Sequence, residues 1–336
     1  MRVPRWLAWI LIAFGMFTAG LLRQFHDLTP TSPYLAPAVG SLLFACLLFL
    51  GLVAVRERQV GAAPGPGLRL GSLTPLLLML LVEKWASATF YPLLFGITAP
   101  VTLSADDADA WFRLLCGVGL LAISLGVSRF SRPARAFVRA RLSAARLPGG
   151  LGAAAAAIAG AGALVSGIAF LFGTRVHVLP PRTDASLGVV LAGQALLALA
   201  EEVYYRGLLL GELLRLAPRL GLSSLAARRW MALGMTSLMF GMEHLGALTG
   251  WDDGGRQVVF ALSLGTLLGL LVLLTGNLWF AAAMHAWINL LLLDAAPRLV
   301  FGQAGTGLPP GASVSLALIG AFIAAFFLQQ RPKPAA

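Results

Sequence analysis

Apolar runs of about membrane-spanning length recur along almost the whole chain, and no other feature limits its fold so tightly. A helix rises about 1.5 Å per residue, so about 20 apolar residues cross a hydrocarbon core of about 30 Å. Ten stretches meet or nearly meet that length: Trp6–Leu22, Tyr34–Val55, Leu73–Ile97, Trp111–Val127, Leu151–Phe172, Leu187–Leu214, Trp230–Leu248, Val258–Leu274, Leu278–Leu293 and Ala312–Leu328. Hydrocarbon offers no partners to backbone N–H and C=O groups, so such runs must satisfy their own hydrogen bonds as helices. The expected fold is therefore all-α, a polytopic transmembrane helical bundle of about ten spans. A composition that is 58% hydrophobic and 12% charged agrees with a multi-pass integral membrane protein. The first run follows Arg2 and Arg5 as a signal peptide does, but no small-x-small cleavage site follows it, so it reads as an uncleaved anchor.

Charge sets the orientation. The segment 129–146 carries six Arg and no acid, and 215–229 carries four Arg. Asp106, Asp107 and Asp109 read as one alternate loop, and Asp252 with Asp253 as another. Placing the Arg-rich segments in the cytoplasm puts both termini there too, with Arg2, Arg5, Arg331 and Lys333. An even number of spans requires the same. The formal charge of +11 is accounted for in this way and does not point to nucleic acid. Basic residues are 23 Arg against 2 Lys, a bias of GC-rich coding that points to a bacterium and hence to its inner membrane. Cys46 and Cys116 both lie in apolar runs, which gives no disulfide framework and no cysteine metal site.

The Gly/Pro-rich stretch 61–67 reads as a flexible loop. The basic stretch 129–146 reads as a topology determinant or as an amphipathic helix on anionic lipid. It divides an N-terminal four-span region, 1–150, from a C-terminal bundle, 151–336, whose polar motifs fall within 187–293. No internal repeat is visible, which weighs against an inverted-repeat transporter.

Three polar motifs interrupt the oil: Glu201-Glu202-Val203-Tyr204-Tyr205-Arg206, Phe240-Gly241-Met242-Glu243-His244, and His285-Ala286-Trp287-Ile288-Asn289. An ionisable side chain at the centre of a membrane helix costs at least about 2.5–3.5 kcal/mol, so its default reading is functional. Residues four apart share a helix face, which pairs Glu202 with Arg206, Phe240 with His244, and His285 with Asn289. Glu201 lies about 100° around the helix from Glu202, so Arg206 can hold one carboxylate while the other faces elsewhere.

Three converging strips of this kind make a hydrolytic site. A desolvated carboxylate has a raised pKa and suits a general base near neutral pH. Glu201 can take the proton of a water that His244 also holds, while His285 and Asn289 donate to the oxyanion that develops on a carbonyl. These groups suffice for peptide hydrolysis without a nucleophilic Ser or Cys.

The order Glu-Glu-x-x-x-Arg, Phe-x-x-x-His, His-x-x-x-Asn on successive membrane helices resembles the CAAX protease and bacteriocin-processing family of intramembrane endopeptidases, which includes the type II CAAX prenyl endopeptidases. The resemblance covers roughly 187–293, and all three motifs are intact. It implies a glutamate-type peptidase acting on a membrane-associated protein or peptide. Glu201 is then the base, His244 its partner, and His285 with Asn289 the oxyanion site. Glu202, Arg206 and Phe240 are then supporting residues. It implies no cofactor. The alternative, a zinc ion on Glu201, His244 and His285, lacks a His-Glu-x-x-His helix to support it.

Two other function classes fit buried Glu, His and Arg: a transporter or proton pathway, and a non-catalytic immunity or scaffold protein of the same fold. The remaining polar features have simpler readings. Glu83-Lys84 reads as a self-compensating pair near a helix irregularity, Glu243 points away from His244, and His26 and His177 read as loop residues. Gly207-x-x-x-Gly211 and Gly265-x-x-x-Gly269 read as close-packing positions. Counting along the seventh run places His244 nearer the outer edge than Glu201 or His285, which calls for a later helix start than Trp230 or a tilt.

Overall fold

The computed structural model describes residues 68–85, 105–171, 176–179, 187–244, 251–292 and 298–301, with 2–3, 7–9 and 12 near the start. The runs at 34–55 and 312–328, most of the run at 6–22, the Gly/Pro stretch, His26 and Cys46 lie outside them.

The described residues are overwhelmingly helical. In chain order they form β1 (Arg2–Val3), β2 (Leu68–Arg69), α1 (Leu70–Trp85), α2 (Ala105–Ser128), α3 (Arg132–Arg141), α4 (Leu147–Leu171), β3 (Val176–Leu179), α5 (Leu187–Leu216), α6 (Leu225–Glu243), α7 (Trp251–Thr275), α8 (Leu278–Leu292) and β4 (Arg298–Phe301). Two short antiparallel ribbons accompany the helices: β1 pairs with β2, and β3 pairs with β4. His177, read as a loop residue, stands in the second ribbon opposite Val300. Among the described residues, four helical stretches are long and apolar enough to cross a membrane: Ala110–Ser128, Arg132–Gly160, Leu187–Leu216 and Gln257–Thr275. The apolar helix Leu278–Leu291 is shorter.

Several acids expected in loops stand at helix starts instead. Asp106, Asp107 and Asp109 open α2, and Asp252 with Asp253 lies in the first turn of α7. The basic stretch is likewise helical rather than a loop. Ser131 caps α3, with its Oγ 3.3 Å from the Ala134 amide, and Ala134 and Val138 bury one side while Arg132 and Arg139 stay exposed. The seventh run begins earlier than Trp230, not later: α6 starts at Leu225 and is capped by Ser224, whose Oγ accepts from the Ala227 amide at 3.1 Å.

The chain folds into two compact units that interleave in sequence. The first comprises 1–97, 120–138 and 203–266; the second comprises 98–119, 139–202 and 267–336. In the first unit the C-terminal part of α5 packs on α1 and α6. Tyr204 is fully buried and donates its hydroxyl to the Met79 carbonyl at 2.6 Å. The buried Glu212 carboxylate accepts from Ser131 Oγ and from the Arg215 guanidinium, and Gly211 lies against the Phe137 ring, so α3 is held to α5.

In the second unit α8 packs against the first part of α5 and against α4. Gly276, at φ +64°, ends α7 in a conformation that glycine adopts without strain, and its amide closes back on the Val272 carbonyl at 2.9 Å. Asn277 then caps α8, its Oδ1 accepting from the Trp279 and Phe280 amides at 3.0 and 3.3 Å. The Asn277 carboxamide donates to the Arg146 carbonyl at 3.0 Å, and the Arg146 guanidinium donates to the Gly276 carbonyl. This reciprocal clamp fixes the start of the helix that carries His285.

Candidate active site

α5 is not a regular α-helix throughout. It is α-helical over Leu187–Glu202, becomes a π-helix over Val203–Leu209, and returns to α-helix over Leu210–Leu216. A π-turn widens the helix and re-phases every side chain beyond it, and such turns gather at functional sites. The transition falls directly after the two adjacent glutamates.

Both glutamates face one imidazole. In the second unit His285 Nδ1 lies 2.9 Å from Glu202 Oε1, and Nε2 lies 3.5 Å from Glu201 Oε2. The two nitrogens, on different edges of one ring, meet carboxylates about 100° apart on α5. The surroundings differ sharply. Glu202 is 0% exposed and the His285 side chain 3%, whereas the Glu201 side chain keeps 22% of its surface.

Protons on the ring follow from this geometry. A neutral imidazole has one N–H donor and one lone pair, and an ionised carboxylate only accepts. The short contact is a hydrogen bond from Nδ1–H to Glu202. For the Nε2 contact to be attractive as well, a further proton must sit on Nε2 or on Glu201. At 3.5 Å the Nε2 contact is longer than the roughly 2.7–2.9 Å of a charge-assisted hydrogen bond. His285 is thus anchored on its Glu202 side and only approached on its Glu201 side. Asn289 lies one turn further along α8 and is half-buried.

The first unit assembles a different cluster. Arg206 is 1% exposed, and its guanidinium carbon lies 4.3 Å from the Phe240 ring centre and 5.6 Å from that of Tyr205. Tyr205 meets Phe240 edge-on at 5.3 Å, and Tyr204 meets Tyr205 edge-on at 4.9 Å. Gly265 on α7 makes room for this group: a Cβ there would lie 3.2 Å from Arg206 Nη2 and from the Phe240 ring. His244 ends α6, half-buried, with its ring 4.9 Å from that of Phe240. Its Nδ1 lies 2.8 Å from the Phe240 carbonyl oxygen. A carbonyl can only accept, so Nδ1 carries the proton, and in the neutral form of the ring Nε2 is then an acceptor. That tautomer is the one that accepts a hydrogen bond from water.

The structure therefore gathers Glu201, Glu202 and His285 in one unit and Arg206, Phe240 and His244 in the other. Among the described residues, no three His, Cys, Asp or Glu side chains form a group suited to holding a metal ion. Sequence reasoning missed the π-turn, which has no composition signal. It also missed the Asn277 cap, which was legible as an Asn directly before an apolar run.

Residues 183–291 match the family model described as type II CAAX prenyl endopeptidase, Rce1-like. No curated protein and no solved structure matches the chain. The matched stretch holds all three motifs. The chain is an integral membrane protein whose residues 183–291 are similar to the Rce1-like protease family, consistent with the CAAX protease and bacteriocin-processing family that its motifs resemble.

Proposed function

We propose that the chain is an intramembrane endopeptidase that hydrolyses a peptide bond of a membrane-associated protein or peptide with a glutamate-activated water. The observation that carries this reading is His285 held between Glu201 and Glu202 inside the segment that matches a protease family. Glu201, the more accessible carboxylate, takes a proton from water as the oxygen attacks the scissile carbonyl. His244 accepts a hydrogen bond from that water through Nε2. The tetrahedral oxyanion receives hydrogen bonds from His285 and Asn289, and the proton on Glu201 passes to the leaving amine as the C–N bond breaks. Glu202 fixes the His285 ring and supports its positive charge. Arg206 and Phe240 brace the helices.

The reaction needs no cofactor in this reading. The bundle has about ten spans with both termini in the cytoplasm, and it resides in a bacterial inner membrane. Residues 151–336 carry the catalytic bundle and 1–150 an accompanying four-span region. The cleaved bond lies at or near a lipid or transmembrane anchor, because the water-activating carboxylate belongs to an apolar helix.

The test uses purified protein co-reconstituted in liposomes with membrane proteins from cells that lack the chain. Wild type is expected to generate new termini next to membrane anchors, with or without a zinc chelator, and Glu201→Ala none. Identical termini from both proteins would overturn the reading, and loss of cleavage on chelation would overturn its metal independence.

A further inference from the structure

Gln194 is 1% exposed, and among the described residues its Oε1 has no hydrogen-bond partner. Buried carboxamide oxygens are nearly always paired, because leaving one unpaired forfeits its hydration without return. The position is informative. At about 100° per residue, Val190, Gln194 and Glu201 fall within an arc of about 40° on α5. At one level of this face Val190 packs in a cluster with Leu290 and Leu291 of α8, and at the other Glu201 meets His285. Gln194 lies between these levels on α5, and Asn289 lies between them on α8. Gln194 of α5 and Asn289 of α8 therefore stand at intermediate levels of this helix pair, on the stretch that leads away from the glutamate pair.

Resting on the endopeptidase reading, we infer that the Gln194 carboxamide binds the backbone of the peptide substrate, its Oε1 accepting from a substrate N–H. Seven residues of helix separate Gln194 from Glu201, about 10 Å at 1.5 Å per residue. An extended peptide advances about 3.3 Å per residue, so the bound amide belongs to a residue about three positions from the scissile bond. Backbone binding suits a protease that accepts different side chains: a carboxamide donates and accepts at one edge, as a peptide group does. A peptide running along this seam is extended, as hydrolysis of its backbone requires.

The experiment uses the co-reconstituted system with wild type, Glu201→Ala, Gln194→Leu and Gln194→Met. Termini that depend on Glu201 supply the sequence of a synthetic peptide substrate, of which one series replaces each backbone amide in turn with an ester. Gln194→Leu is expected to raise KM about three- to tenfold with kcat little changed, the effect of losing one hydrogen bond. Its thermal midpoint should equal or exceed that of wild type, since an unpaired buried polar group is gone. One ester, about three residues from the cleaved bond, should slow wild type and leave both Gln194 variants unaffected. Wild-type kinetics in Gln194→Leu and Gln194→Met would overturn the inference while the endopeptidase reading stands. So would loss of stability in step with activity, or an ester penalty equal in all proteins. Glu201→Ala termini identical to wild type would remove the endopeptidase reading and the inference with it.

Discussion

Glu201 and Glu202 are chemically identical neighbours, and burial divides their work. Glu202, fully enclosed, holds the His285 N–H; Glu201 keeps 22% of its side-chain surface, and the proposed mechanism places the attacking water there. Removing one partner of a buried ion pair costs about 3–5 kcal/mol, because the other is left uncompensated. Glu202→Ala is thus expected to lower the thermal midpoint of the purified protein as well as its activity, whereas Glu201→Gln abolishes cleavage at nearly unchanged stability. Equal melting losses in both variants would contradict this division. The residue types were legible in the sequence because ionisable groups stand out against apolar runs. The sharing of one ring by both carboxylates was not, because an imidazole's two nitrogens face different ways and spacing along one helix says nothing of a partner on another.

Helices were legible wherever hydropathy and caps agree. The run read as 278–293 is α8, and that read as 151–172 lies within one residue of α4 at its C-terminal end. Hydropathy placed the start of α6 too late because Arg228 and Arg229 count against an apolar window. In the structure these arginines lie inside the helix that Ser224 caps, and the Arg228 guanidinium donates to the Leu222 and Ser223 carbonyls at 3.0 and 2.7 Å. The π-turn escaped altogether, since the 100° rule assumes the regularity that it breaks. The glycine pattern on α7 was legible, and it gives a prediction at this scale. Gly265→Ala places a Cβ against Arg206, Phe240 and the Ser237 backbone, a crowding that costs about 1–3 kcal/mol. Its thermal midpoint should fall, with no such loss for Gly234→Ala, where a Cβ meets nothing within 4 Å. Equal stability of the two variants would refute the packing assigned to Gly265.

For the whole molecule, the membrane sorts charge as much as oil. The acids at the starts of α2 and α7 and the arginines around α3 mark opposite sides of the bilayer in the proposed topology, since charges near span ends set orientation whether they are helical or not. An exposed position on α3, Ala140→Cys, should react with an impermeant maleimide in inside-out vesicles and not in right-side-out ones. The reverse labelling would invert the topology. The similarity of residues 183–291 to a membrane protease family was legible because three motifs fall in order on successive apolar runs. Substrate identity was not, because none of the three motifs names a side chain that a substrate must present.

The central claim is that Glu201 activates water to cut proteins at the membrane. The most direct measurement compares protein termini in membrane fractions of cells that carry either wild type or equally expressed Glu201→Ala. A set of membrane-proximal termini present with wild type and missing with the variant is the predicted result. Indistinguishable termini across several growth conditions would contradict it.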